Sequence, residues 1–255
     1  MTREARYPSL EGRVVFISGG ATGIGATLVE AFARQGCHVA FVDIDEANAT
    51  ELVVRIADAG HPKPLFLLCD VTDIDALRNA LSNTAAALGT VRVLVNNAAD
   101  DQRHRVAETT PELWDHAFAV NVRHHFFAAQ AVAPGMTAAG GGSIVNMGSI
   151  SWMTKTTGMP AYTAAKAAVK GLTMCLAREF GPANIRVNSV VPGWVMTERQ
   201  LRMWVTPEGE STIDSAQCLK ARLQASDIAA MVLFLGADDS RLCTAQDFVV
   251  DAGWA

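Results

Sequence analysis

The 255-residue chain is poor in several residue types that would point elsewhere. No uninterrupted apolar run is long enough to cross a bilayer, which argues against a membrane span. There is no basic excess: 21 Lys+Arg stand against 26 Asp+Glu, a net charge of −5. That balance gives no footprint for nucleic acid or an anionic membrane surface. The five cysteines, at 37, 69, 175, 218 and 243, are scattered, with no Cys-x-x-Cys. They read as reduced thiols of a cytoplasmic protein rather than a disulfide framework or zinc site. His124 and His125 have no third ligand at useful spacing, so no metal is expected. The opening Met1–Arg6 is charged and leads into no apolar stretch, unlike a secretory signal. Without repeats, low-complexity tracts or linkers, a single domain over residues 1–255 is expected.

Half of the residues are hydrophobic, enough for a sizeable core. Short apolar runs alternate with helical patterns. Strands are predicted at 14–17, 38–42, 64–68, 91–95, 143–147, 185–190 and 248–250. Helices are predicted at 23–35, 46–59, 74–88, 111 to about 139, 162 to about 180, and 227–235. Thr110 before Pro111 reads as an N-cap followed by Pro at the first helical position. The alternation implies an α/β fold: a doubly wound, mostly parallel sheet of seven strands with helices on both faces. Residues 194–220 show no clean period and read as an irregular lid over a site.

The first strand feeds Ser18-Gly-Gly-Ala-Thr-Gly-Ile-Gly25. Glycines there allow a tight turn and close approach of backbone to a pyrophosphate at a helix N-terminus. The second strand ends at Asp43, where a carboxylate can accept ribose hydroxyls and repel a 2′-phosphate. Ile44, Asp45 and Glu46 supply no cation for such a phosphate, so NAD is expected over NADP. Asp43 could instead cap the next helix, though Asp45 is better placed to do so. Asp70, after the third strand, falls within reach of an adenine.

Both tyrosine and lysine are scarce, yet Tyr162 and Lys166 stand four apart in Pro160-Ala-Tyr-Thr-Ala-Ala-Lys166. In a helix they share one face. A cation beside a phenol lowers its pKa and makes it a usable base. Taken alone, they read as an ordinary helix-surface pair.

Ser18–Gly25, Cys69-Asp70-Val71, Asn96-Asn97-Ala98, Asn121, Ser149, Tyr162-x-x-x-Lys166 and Pro192-Gly193 occur in order. In this the chain resembles the short-chain dehydrogenase/reductase family over essentially its full length. Ser18 and Ala99 depart from the family's usual threonine and glycine. Asn96–His104, Gly148–Trp152, Ala216–Leu219 and Val250–Trp254 are similar to the NAD-dependent aldose 1-dehydrogenases of that family, which act on xylose, arabinose, galactose or fucose.

The resemblance implies a Rossmann-type domain in which Asn121, Ser149, Tyr162 and Lys166 are catalytic. It implies cofactor contacts from Gly19, Thr22, Gly23 and Ile24 in the turn, from Asp43, and from Asp70 and Val71. Asn97 and Ala98, Tyr162 and Lys166, and then Pro192, Gly193, Val195 and Thr197 would complete them. Tyr162 would take the C1 hydroxyl proton as hydride leaves, Ser149 would position the reacting oxygen, and Asn121 would support a water linking Lys166 to solvent. The product would be an aldonolactone.

Polar and aromatic residues fit a sugar better than an acyl chain. Asp101 and His104 on one loop, Ser149, Ser151 and Trp152, and Trp194 and Gln200 in the lid are the candidate substrate contacts. Asp100, Gln102, Trp204 and Gln217 lie in the same segments. Each could equally be a solvated or packing residue. Another polyol, secondary alcohol or ketone is the alternative substrate. The resemblance also implies a homotetramer packed through the helices around His124–Ala133 and Ala164–Leu176.

Overall fold

A computed structural model describes residues 5–255; Met1–Glu4, part of the charged opening, lie outside the described residues. The strands are β1 (Val14–Ser18), β2 (His38–Asp43), β3 (Leu65–Leu68), β4 (Val91–Asn96), β5 (Gly142–Met147), β6 (Ile185–Pro192) and β7 (Asp247–Val250). They form one seven-stranded sheet in the order β3-β2-β1-β4-β5-β6-β7. Every pairing is parallel, so the expected "mostly parallel" sheet is wholly so among the described residues. The chain reverses its direction of strand addition between β1 and β4. In such sheets ligands bind outside the carboxyl ends at that switch point.

Burial on both faces explains why the central strands read as apolar runs rather than alternating patterns. Val15 and Ile17 of β1 join one core with α1 (Gly23–Arg34), α2 (Glu46–Asp58) and α9 (Ala225–Gly236). Val14 and Phe16 join the opposite core with α3 (Ile74–Leu88), α5 (His124–Ala138) and α6 (Pro160–Phe180). A polar ladder crosses the second core: Asn96 Nδ2 donates to Asn146 Oδ1 at 2.8 Å, and Asn146 Nδ2 to Thr173 Oγ1 at 3.0 Å. It ties β4 and β5 to α6, the helix that carries Tyr162.

Caps fall where the sequence places them. Asp45 accepts from the Asn48 amide and Thr110 from that of Leu113. Two expectations need correcting. The helix predicted from Pro111 to about Ala139 is interrupted: α4 (Pro111–Phe118) passes through a π-helical turn, Ala119–Arg123, into α5. The segment 194–220 is not irregular. It contains α7 (Glu198–Met203) and α8 (Pro207–Ala216), each started by a threonine that caps the first turn, Thr197 and Thr206. Helices of six and ten residues complete too few turns for their period to stand out.

Candidate active site

The carboxyl ends of the strands open onto a groove of about 1460 Å³. At one end the glycine turn forms a tight cradle. Gly19 and Gly23 have φ of +68° and +55°, a region that favours glycine. A Cβ on Gly25 would stand 1.8 Å from the Gly19 carbonyl oxygen, and one on Gly19 2.7 Å from Ala98 Cα. α1 starts at this turn with no side chain capping its first amides, which leaves them for a pyrophosphate.

Ser18 locks the cradle from below. Its Oγ accepts from the amides of Asn97 (3.0 Å) and Ala98 (3.1 Å) and lies 3.2 Å from His124 Nε2. A hydroxyl has two lone pairs and one proton. With both lone pairs occupied, the proton goes to His124 Nε2. Burial, then the charge of Lys166, holds the His124 pKa down to about 3, so the ring is a neutral acceptor at physiological pH. The serine therefore does what the usual threonine's hydroxyl would do.

Asp43 sits at the tip of β2. Its Oδ2 accepts from the Ala21 amide (2.8 Å) and its Oδ1 from Ile44 (2.8 Å) and Asp45 (3.1 Å). These bonds fix the carboxylate against the groove; Oδ1 is filled by its two amides, and Oδ2, with one, retains acceptor capacity toward a ligand. All fifteen residues expected at the cofactor line this one groove. The cradle, the fixed carboxylate and the open helix N-terminus fit a dinucleotide.

Tyr162 lies on the first turn of α6, which Pro160 starts at its first position. Ser149 and Lys166 line the same groove. Lys166 is buried, donates to the Met147 carbonyl at 2.8 Å, and lies over the Tyr162 ring, 5.8 Å from its centroid. Burial lowers its pKa to about 7. The expectation that this lysine depresses the phenol is corrected here. Burial pushes Tyr162 up to about 12; hydrogen bonding with Ser149 and the charge of Arg103 pull it down, while Asp101 and Asp100 push it further up. Lys166 donates to the Met147 carbonyl and not to the phenol, and desolvation dominates.

Ser149 also accepts from the Ser151 amide and so caps the short turn that follows β5. Asn121 is fully buried in the π turn and does not line the groove. Its amide binds backbone: Oδ1 accepts from Asp100 N (3.1 Å), and Nδ2 donates to Asp100 O (3.0 Å) and Ala117 O (2.9 Å). The π turn thus positions the loop after β4.

That loop and the segment 194–220 meet across the far end of the groove. Trp194 Nε1 donates to Gln200 Oε1 (2.9 Å), and Gln200 Nε2 to Asp101 Oδ2 (2.7 Å). Arg199 bridges Asp100 and Asp101 at 3.2 and 3.3 Å. Asp101, Ser151, Trp194 and Gln200 line the groove as expected. His104 and Trp152 do not. The buried His104 ring instead bridges the Gln102 carbonyl and the Ala161 amide, and Trp152 lies beneath Lys170. Arg103 and Trp254 are among the groove residues that the sequence did not single out. Arg103 sits between two expected contacts, and Trp254 packs near Trp194 with ring centroids 6.5 Å apart. Arginine in an acidic loop and tryptophan near the end of the chain carry no spacing signal of their own.

A dinucleotide cradle beside a tyrosine, lysine and serine in one groove defines an oxidoreductase that works with a nicotinamide cofactor. A family model described as enoyl-(acyl carrier protein) reductase matches residues 19–255. D-xylose 1-dehydrogenase of Caulobacter vibrioides is 48% identical over 250 residues, covering 98% of each chain. A probable galactose dehydrogenase of Rhizobium meliloti is 47% identical over 249 residues, covering 98% of this chain and 97% of the other. The crystal structure of 3-oxoacyl-[acyl-carrier protein] reductase from Brucella melitensis superposes with a TM-score of 0.91 at 30% identity, covering 99% of this chain and 97% of that one. The chain belongs to the short-chain dehydrogenase/reductase family.

Proposed function

We propose that this enzyme uses NAD to oxidise the C1 hydroxyl of a pyranose aldose to the aldonolactone, with Tyr162 as the base. One observation carries the reading: Tyr162 and Ser149 share a groove with both a dinucleotide cradle and the polar Asp101–Gln200–Trp194 chain. Two relatives with nearly half their residues identical are named for xylose and galactose oxidation. The nicotinamide, when bound, supplies the hydride acceptor. Tyr162 takes the proton from the C1 hydroxyl as the C1–H electron pair departs, leaving C1 doubly bonded to oxygen. Ser149 holds that oxygen toward the phenol. Lys166 and Asp43 hold ribose hydroxyls, and the glycine turn holds the pyrophosphate.

Asp43 favours NAD, because its carboxylate would repel a 2′-phosphate and the next residues are Ile44 and Asp45. Residues 194–220 form the lid of a single catalytic domain that works in the cytoplasm as a homotetramer. Exposed Phe126 on α5 and Met174 on α6 suit such a contact. Incubation with a panel of pentoses and hexoses and either NAD or NADP, following the reduced cofactor at 340 nm, tests the reading. Turnover is expected with at least one aldose and faster with NAD. Turnover with polyols or ketones but no aldose would overturn the substrate, and faster turnover with NADP would overturn the cofactor. Sedimentation as a monomer would overturn the tetramer.

A further inference from the structure

Arg103 is a cation at the reaction end of the groove whose charge reaches Tyr162 but whose N–H donors nothing above accounts for. Its side chain is half-buried and lines the groove with Met159, Tyr162 and Trp204. The guanidinium carbon lies 5.1 Å from the Trp204 ring centroid. Its one hydrogen bond is from Nη1 to the Met159 sulfur at 3.5 Å, and a thioether is a weak acceptor. Among the described residues no carboxylate lies within ion-pair reach of it; Asp100 and Asp101 are held by Arg199 instead. Most of the guanidinium's N–H donors are therefore left for something in the groove.

The local charges say what that something is. Asp100 and Asp101 stand with Arg103 and Arg199 on this wall of the groove, and Glu198, Arg202 and Lys155 also line it. A wall that carries both signs side by side is not a dedicated site for an anion such as a carboxylate or phosphate. It offers paired N–H donors, a partly buried carboxylate and aromatic faces, which suit adjacent hydroxyls on a ring with apolar C–H faces. A planar guanidinium presents parallel donors in a fixed fork, and the oxygens of a vicinal diol are spaced to accept two of them.

We propose that Arg103, backed by Trp204, binds the vicinal hydroxyls of the sugar adjacent to C1 and so selects which aldose presents its C1 to Tyr162. The inference rests on the aldose reading and names the residue through which it is specific. Trp204 belongs to the segment 194–220 and Arg103 to the loop after β4, so the pair joins these two walls of the groove.

Steady-state kinetics of R103Q and R103K with the best aldose of the panel test this. R103Q is expected to raise the aldose KM by about tenfold or more, with the KM for NAD within about two-fold of wild type. R103K should recover little, because an ammonium lacks the planar fork. The ranking of epimers that differ at C2 should compress in both variants. Free guanidinium ion added to R103A should restore part of the lost turnover, which a purely structural role would not permit. If R103Q fails to fold, R103K carries the same comparison. Wild type that oxidises no aldose overturns the functional reading, and this proposal with it. Wild-type turnover alongside an R103Q aldose KM within about two-fold of it overturns the proposal alone.

Discussion

Replacing Lys166 by Met should change stability in a pH-dependent way that can be worked from the structure. Lys166 is 2% exposed, and burial takes its pKa from 10.5 to about 7. Each pH unit in that gap is worth about 1.4 kcal/mol, so keeping the charge inside costs roughly 5 kcal/mol relative to the unfolded chain. The sign follows from proton counting. Between pH 7 and 10.5 the unfolded lysine holds a proton that the folded one has largely released, so wild-type stability gains with pH. Below pH 7 both states are charged and the folded state bears the whole penalty. Methionine removes the penalty but leaves the Met147 carbonyl without its 2.8 Å donor, a loss of about 1–3 kcal/mol. K166M should thus be more stable than wild type at pH 6 by a few kcal/mol, and should lose that advantage by pH 9.5. Urea unfolding of both proteins at matched concentration, at pH 6, 7.5 and 9.5, measures the difference; other titrations common to the two cancel. A stability difference that stays flat across this range would refute the assignment of Lys166 as a desolvated cation.

Tyr162→Phe removes the proton acceptor and should lower kcat by about a thousandfold or more while NADH still binds, as followed by its fluorescence; retained turnover would sink the base assignment. Wild-type oxidation should rise as the medium becomes more alkaline, because burial holds the Tyr162 phenol up near 12 and the base must be deprotonated. A pH profile that peaks below pH 7 contradicts this. Gly25→Ala drives a methyl to 1.8 Å from the Gly19 carbonyl, so NAD should no longer raise the thermal unfolding temperature; an unchanged shift would mean that the turn is not the pyrophosphate cradle. Gln200→Ala breaks the chain from Trp194 to Asp101 and should raise the aldose KM several-fold without altering that for NAD, whereas equal changes in both would place the lid over the cofactor instead.

Features built from local chemistry were legible in the sequence. A glycine turn, a carboxylate at a strand end and a tyrosine–lysine pair at helical spacing each carry their reason within a few residues, and the structure gathers them in one groove. The strands read correctly because parallel burial makes them continuous apolar runs. What escaped depends on tertiary placement. Whether Lys166 lowers the Tyr162 pKa turns on where the ammonium sits relative to the hydroxyl and on how dry the site is, and spacing encodes neither. His104 and Trp152 have the right chemistry on the right loops but are turned into packing roles. Arg103, one position from His104, faces the groove. The break at Asn121 left no trace because a π turn needs no special residue type.

The strand order has a consequence for how the protein comes to exist in its working form. The groove draws on residues from Gly19 to Trp254, and its floor closes only when β1 pairs with β4, some eighty residues later. The complete groove thus forms only once distant segments have joined, and non-local parallel pairing is slow to form. Cofactor binding therefore reports completion of the whole topology rather than of one segment. By mass action a dinucleotide in the surrounding medium would then favour the finished fold over every partial one, so cofactor supply and the yield of folded enzyme are linked.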